Sequence, residues 1–539
     1  MASVRPAAAA IALASALLAC GLPIRASAQV PPQDAPPPAA AAPDAAAPAA
    51  APAPRRTRRA AAVSPNRVPT RSGVPVAAPG RTAAVTGAGA APGASGTAGG
   101  IGGARRVGNL QGTSASPTTP TALPPGTLDF GNGITALANY TSESAGNPVG
   151  GIRQGVRYAD QFFFGTDIDL QKLAGVQGAF LHGIFTQRDG HSLTNDLIGN
   201  SISVQEIYGG GQTYRLTYLS FEKKLFDDRV DLEVGRIPGQ TAFLGSPFYC
   251  NFQNNAVCGS PNLAFADTNF TYFPAPTWAG VMKTQLTDRY FFNVGAYQVA
   301  PESTTRADHG VGFFAPSTGY NVPFELGYAT SFKNDPYPRH YGIGAIIDQS
   351  QYSDAEFDQQ GGQRVITGLP GVTRFGRTAA YGRFDQTLYR PDMESPRGLS
   401  VFALAIGGTS GRQVEDYQFT LGAVYLGPFA SRPLDSLDVV MSTQRYSDIG
   451  IAGIRASRLA QGLSTSDIDR QETFLELNYG IQVAPYARLT PNIQYIIGPD
   501  QLRYPTRPTP IPDVLVIGAK LSVDLFTLAG LAKGPQDRL

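Results

Sequence analysis

From about residue 128 onward the chain breaks into segments of roughly ten residues in which apolar and polar side chains alternate, the period of a strand with two different faces. The last segment, DVLVIGAKLSVDLF, is the clearest. Leu515, Ile517, Ala519, Leu521, Val523 and Leu525 point one way, and Gly518, Lys520, Ser522 and Asp524 the other. TFLELNYGIQV repeats the pattern, setting Leu475, Leu477, Tyr479, Ile481 and Val483 against Glu476, Asn478 and Gln482. A soluble sandwich alternates too, because one face of each sheet meets a core and the other water.

The connections separate the two cases. The segments number about sixteen, and the linkers between them alternate between short and long. Short ones are QKLAGV (171–176), FDDR (226–229), TDR (287–289), KNDPYPR (333–339) and PYAR (485–488). Long ones cover 188–213, 238–276, 301–322, 351–376 and 446–471, while TSGRQVED (409–416) is short although it falls on the long side. Short turns at one end and long loops at the other are the layout of a transmembrane barrel, and an even strand count puts both chain ends in the periplasm. Lipid offers no partner to an open sheet edge, so the sheet must close. The expected fold is all-β: a transmembrane antiparallel β-barrel of about sixteen strands over 127–526, wide enough to leave an aqueous channel, with a C-terminal tail over 527–539.

Composition agrees. Charged residues make up only 16% of the chain, and 23 Tyr and 28 Phe stand against a single Trp. Beyond the first residues no apolar run is long enough for a membrane-spanning helix. Low charge without apolar runs is what alternation produces.

The chain opens with Arg5, an apolar stretch from Ala7 to Ile24, and the small-x-small triplet Ala26-Ser27-Ala28. This pattern predicts a signal peptide over 1–28, cut between Ala28 and Gln29. A lipoprotein reading exists beside it, since Leu17-Leu18-Ala19-Cys20 resembles a lipid-attachment box with Cys20 acylated. Residues 29–126 are Ala, Pro, Gly, Thr and Ser without aromatics, a composition that cannot offset its ordering entropy and predicts a disordered periplasmic spacer. The spacer carries nine Arg against two Asp, whereas residues 127–539 carry 32 basic against 39 acidic residues. A basic segment on an exported chain suits an anionic polymer such as peptidoglycan rather than nucleic acid; a merely solvated tether is the plainer alternative.

Cys250 and Cys258 stand close together in YCNFQNNAVCG, which predicts one disulfide across a loop in an oxidising compartment. His182, His191, His309 and His340 show no ligand spacing, so neither a metal nor a cofactor is implied. No G-x-S-x-G elbow, H-E-x-x-H or phosphate-binding glycine loop is present, and the reading is of a protein that is not an enzyme.

Three stretches then resemble a known family. DIDLQKLAGVQGAFLHGIF (167–185), SVQEIYGGGQTYRLTYLSFEKKLFDDRVDLEVGRIPG (203–239) and PAPTWAGVMKTQLTDRYFFNVGAYQVAP (274–301) are similar to the carbohydrate-selective porins of the OprB type. The likeness extends over about 130–526, more weakly outside these stretches. It implies a barrel of the outer membrane of a Gram-negative cell, passive diffusion of monosaccharides such as glucose, and an arginine-bearing constriction. The long spacer, the cysteine-bearing loop and the residues AGLAKGPQDRL after Phe526 depart from the pattern.

A sugar carries no net charge, so selection must come from width and from the geometry of donors and acceptors. Strand parity puts Arg215, Thr217, Glu233, Asn293, Tyr297, Tyr381, Arg383, Asp385, Glu476 and Asn478 forward as lumen-facing. Arg236 is added on the resemblance; Val230, Leu232 and Val234 give it the lipid-facing parity, and a bulge would be needed to turn it inward. The loop 238–276, rich in Phe and Tyr, suits either a constriction folded into the mouth or a lid outside it. The alternative to a sugar pore is a structural anchor that grips the cell wall through the basic spacer.

Overall fold

The computed structural model describes residues 126–534 apart from 333, 394 and 396. The expected signal segment with its cut after Ala28, Cys20, the spacer up to residue 125 and the end of the tail lie outside the described residues.

A four-residue strand, β1 (Leu128–Gly131), precedes sixteen wall strands. The first eight are β2 (Ile134–Val149), β3 (Val156–Asp169), β4 (Ala179–Gly190), β5 (Tyr214–Leu225), β6 (Val230–Ile237), β7 (Thr277–Gln285), β8 (Tyr290–Val299) and β9 (Gly319–Ala329). The second eight are β10 (Arg339–Asp358), β11 (Gly371–Tyr389), β12 (Gly398–Ser410), β13 (Glu415–Leu426), β14 (Ser436–Tyr446), β15 (Gln471–Ala484), β16 (Ala487–Ile497) and β17 (Val514–Asp524). Each pairs antiparallel with its neighbours, and β17 returns to β2 through pairs such as Lys520 with Glu143 and Leu521 with Ser142. The sheet is therefore a closed ring of sixteen strands, in which every wall strand has a partner on both sides.

Parity runs round the wall as the alternation requires. Val439, Leu477, Ile493 and Ile517 are successive cross-strand partners, and each is more than half exposed. One residue along, Val440, Glu476, Gln494 and Val516 form the next row and are buried on the inner face. Exposed aliphatic rows on a closed barrel are its lipid-facing surface. Tyr290, Tyr328 and Tyr341 pack ring on ring outside the short-turn end, as do Tyr389 and Tyr425, while Tyr158, Tyr320, Tyr417 and Tyr495 lie exposed near the long-loop end. Amphipathic rings at both ends match the two membrane interfaces.

Two features differ from the linker reading. Strands β10 and β11 run 20 and 19 residues, so the expected long link 351–376 shrinks to 359–370. Nine to eleven residues suffice to cross a bilayer, by the usual tilt of about 45°. The pair goes on past its register shifts at Asp348/Gln351 and Ser353/Asp358. Its far part needs no lipid-facing row, so it carries no apolar alternation. The link 447–470 contains a helix, Asp448–Ala460, whose first turn is capped by Ser447 accepting from the Gly450 amide at 3.1 Å.

Both described ends meet at the short turns. The Gly126 amide donates to the Lys533 carbonyl at 3.1 Å, and the Asp524 amide to the Tyr486 carbonyl at 2.8 Å. The described part of the tail starts with a single helical turn, Leu525–Leu528.

Candidate functional site

Strand β6 stops at Ile237 and β7 begins at Thr277, and the loop between them turns into the barrel. Its apolar content explains the direction. Phe243, Phe252, Phe270 and Phe273 are almost completely buried, sharing one cluster with the wall residues Tyr297, Ile346 and Phe402. Phe402 meets the rings of Phe248, Tyr249 and Phe252 at 6.2, 5.3 and 5.9 Å. Burying each such ring is worth about 1.5–3 kcal/mol, far more than a surface lid would gain. Cys250 and Cys258 form the expected disulfide within this loop, their Cα atoms 4.5 Å apart.

Several residues read as lumen-facing turn out to hold the loops. Glu476 accepts the backbone amides of Gln253 and Asn254 at 2.8 and 3.0 Å and the Asn254 side-chain amide at 2.6 Å. Asn478 donates to the Asn251 carbonyl at 3.2 Å. Tyr297 packs on Phe243 and Phe270. Arg215 donates to the carbonyls of Gly210, Ser303 and Thr305 at 2.6–2.9 Å and lies 3.6 Å from Asp308. Thr217 sits at a register shift between β4 and β5 and shares a 2.8 Å hydrogen bond with Thr186.

The others form a belt of paired charges nearer the short turns. Arg383 donates to both oxygens of Glu325 at 2.7 and 3.0 Å, and Tyr381 donates to the same carboxylate at 2.9 Å. His340 stands between Glu325 and Asp385, at 3.9 and 3.6 Å. Glu233 accepts from Tyr218 and Ser220 at 2.5 Å and faces Lys283 at 3.9 Å, and Asn293 is the cross-strand partner of both Lys283 and Glu325. Further round the belt, His182 lies between Asp167 at 2.5 Å and Glu222 at 2.8 Å.

Arg236 is placed differently from the inward turn considered for it. Pairing of β6 with β5 and β7 is continuous, so Arg236 shares a face with its partners Leu219 and Trp278, both outward and exposed. Its guanidinium is covered by the loop 300–318: it lies 3.6 Å from Asp308, donates to the Gly312 carbonyl at 3.1 Å and sits over the Phe313 ring. That loop fills the notch left where β6 ends. The Leu216 amide of β5 donates to the His309 carbonyl at 2.9 Å, and Gly310, at φ +73°, passes so close that a Cβ would lie 1.9 Å from the Leu216 carbonyl oxygen.

The sequence reading missed Glu325, His340, Lys283 and the loop anchors Asp267 and Lys520 as site residues. Parity marks Glu325, because Val322, Phe324 and Leu326 of NVPFELG take the outer face. Nothing in the sequence marks Asp267, which belongs to a loop. It accepts the amides of Val414 and Glu415 at 2.8 and 2.7 Å and faces Arg377 at 3.6 Å. Burial pushes its carboxyl up to about 6 against the pull of Arg377. A carboxyl raised in the seated loop binds its proton more tightly there than in a released one. Seating is therefore firmest below the ordinary carboxylate range and weakens as pH rises through about 6, by at most about 3 kcal/mol. Cleavage of the loop by an added protease should be faster at pH 8 than at pH 5, and Asp267→Asn should flatten the difference; an unchanged pH dependence in that variant would refute the assignment.

Residues 153–525 match the family described as "Carbohydrate-selective porin, OprB family". The chain is similar to Porin B of Pseudomonas aeruginosa, 30% identical over 399 residues that cover 71% of this chain and 85% of that one. It is also similar to "Putative porin QuiX" of Acinetobacter baylyi, 28% identical over 387 residues, covering 68% and 85%. Among solved structures, the high-pH structure of Pseudomonas putida OprB superposes with a TM-score of 0.66 at 28% identity, covering 73% of this chain and 94% of that one.

Proposed function

Because this chain belongs to the carbohydrate-selective porin, OprB family, and is an outer-membrane β-barrel rather than an enzyme, we propose that it passes monosaccharides such as glucose by passive diffusion. One observation carries the reading: the charged groups of the inner belt come in opposite-sign or histidine-bridged sets, Arg383 with Glu325, Lys283 with Glu233, and His182 between Asp167 and Glu222. The two cation–carboxylate pairs cancel much of their own field, and all three sets keep hydrogen-bonding atoms along the wall, which suits a neutral, hydroxyl-rich solute. Thr217, Asn293, Tyr381 and Asp385 complete the proposed lining, with Arg215, Tyr297, Glu476 and Asn478 acting on it through the loops they hold. Vesicles loaded with the purified barrel should swell in isotonic glucose, and the ion current through a single pore should fall when glucose is added. Vesicles that admit ions but never glucose would reject the proposal.

A second function is supported by where the barrel begins. Gly126 lies beside Lys533 at the short-turn end, which supports a reading in which the segment ahead of it leaves on the periplasmic face. The basic spacer 29–126 would there meet peptidoglycan. Deleting residues 29–126 behind an intact signal peptide should leave glucose swelling unchanged and abolish co-sedimentation with cell wall; co-sedimentation that persists would discard the tether.

A further inference from the structure

We infer that the disulfide ring Cys250–Cys258 determines the size limit of the pore by holding the tip of loop 238–276 against the far wall. The inference rests on the sugar-pore reading above. Residues 251–258 are buried without belonging to any wall strand. The loop springs from β6, and its tip reaches β15, which lies seven strands away one way round the ring and nine the other. The tip therefore crosses the lumen.

Its seat is built from backbone groups that the ring presents in a fixed order. Two consecutive amides, of Gln253 and Asn254, converge on Glu476 of β15. Carbonyls leave the other side: Ala256 accepts from Gln418 of β13 at 3.0 Å, and Cys250 and Phe252 accept from Lys520 of β17 at 3.3 and 3.4 Å. Asn492 of β16 donates to the Gln253 side chain at 2.6 Å. The inner loop 191–213 joins in, since the Glu206 amide donates to the Gln253 carbonyl at 2.9 Å and the Asn255 amide to the Ser203 carbonyl at 2.8 Å. So many directional contacts from one short stretch need a single backbone conformation. The sequence of the tip, Asn-Phe-Gln-Asn-Asn-Ala-Val, has no helix or strand period to impose one. The covalent link removes the freedom that seating would otherwise have to freeze. With the link open, the tip exchanges between seated and released forms, and released forms leave a wider passage.

The test uses the full-length protein already inserted in vesicles, so assembly does not depend on the outcome. Dithiothreitol reduces the pair: the S–S bond breaks, each cysteine sulfur takes a proton, and the reagent's two thiols supply the two electrons by closing to a cyclic disulfide. Swelling is read with glucose, sucrose, raffinose and stachyose before and after reduction, with thiol labelling to confirm that the bond has opened. Reduction should raise entry of the sugars that untreated protein excludes by about threefold or more while leaving glucose entry within about twofold, as a change in passage width requires. C250S/C258S should match the reduced protein, and Glu476→Gln, which keeps the disulfide but loses the anionic acceptor, should fall between. A cut-off in the reduced protein unchanged from that of untreated protein would overturn the inference, whatever Glu476→Gln does. Failure of untreated protein to pass any sugar would overturn the sugar-pore reading instead.

Discussion

Excising residues 242–269 and joining the remaining ends through a few Gly and Ser residues should raise single-channel conductance about three- to tenfold and erase the preference for small sugars, because cross-section governs both. The cut is one the barrel can tolerate. The Gly239 amide already donates to the Thr271 carbonyl at 3.1 Å, so the two stubs meet without strain. The excised segment carries the Ala242–Ala264 part of the inner cluster and the whole disulfide ring. It contributes no strand to the wall, whose closure depends only on strand pairing. Planar-bilayer recordings of the two proteins decide the matter. An excised pore that conducts no better than the intact one would mean that the loop does not obstruct the passage.

Arg383→Leu should destabilise the barrel by about 3–5 kcal/mol, the cost of leaving a buried carboxylate without its cation. Glu325 receives Arg383 on both oxygens and is itself fully buried, with Tyr381 and His340 as its remaining polar neighbours. Neither neighbour replaces a guanidinium: the tyrosine is neutral, and His340 also answers to Asp385. Adding Glu325→Leu to Arg383→Leu should restore much of the loss, since an apolar pair strands no charge. Urea unfolding of all four proteins in lipid vesicles, read as a double-mutant cycle, gives the coupling directly. A single variant within 1 kcal/mol of wild type, on the order of a surface ion pair, would show that water reaches Glu325 freely.

The wall was legible because lipid enforces alternation. Leu475, Leu477 and Ile517 had to face one way, and Glu476, Asn478 and Lys520 then had no choice but the other. Parity found Arg383, Tyr381 and Asp385 for the same reason. It could not say that Arg383 pairs with Glu325 and also donates to the loop carbonyl of Gly245 while Glu476 takes loop amides, because that depends on which loop atoms arrive at each height. Arg236 shows the limit most plainly. Its parity pointed outward and family likeness inward, and the structure keeps the outward parity while hiding the guanidinium under Asp308, Gly312 and Phe313. No local rule places residues 306–313 over β6.

Strand number, the alternation of short turns with long loops, the lipid-facing rows and the cysteine pair were thus written in local pattern, since each follows from neighbours two to ten residues apart meeting lipid, water or each other. The direction taken by loop 238–276, the partners of the inner charges and the cover over Arg236 were decided by tertiary structure alone. They depend on residues up to 314 positions distant, brought to one height of the lumen only when β17 pairs with β2 and the ring closes.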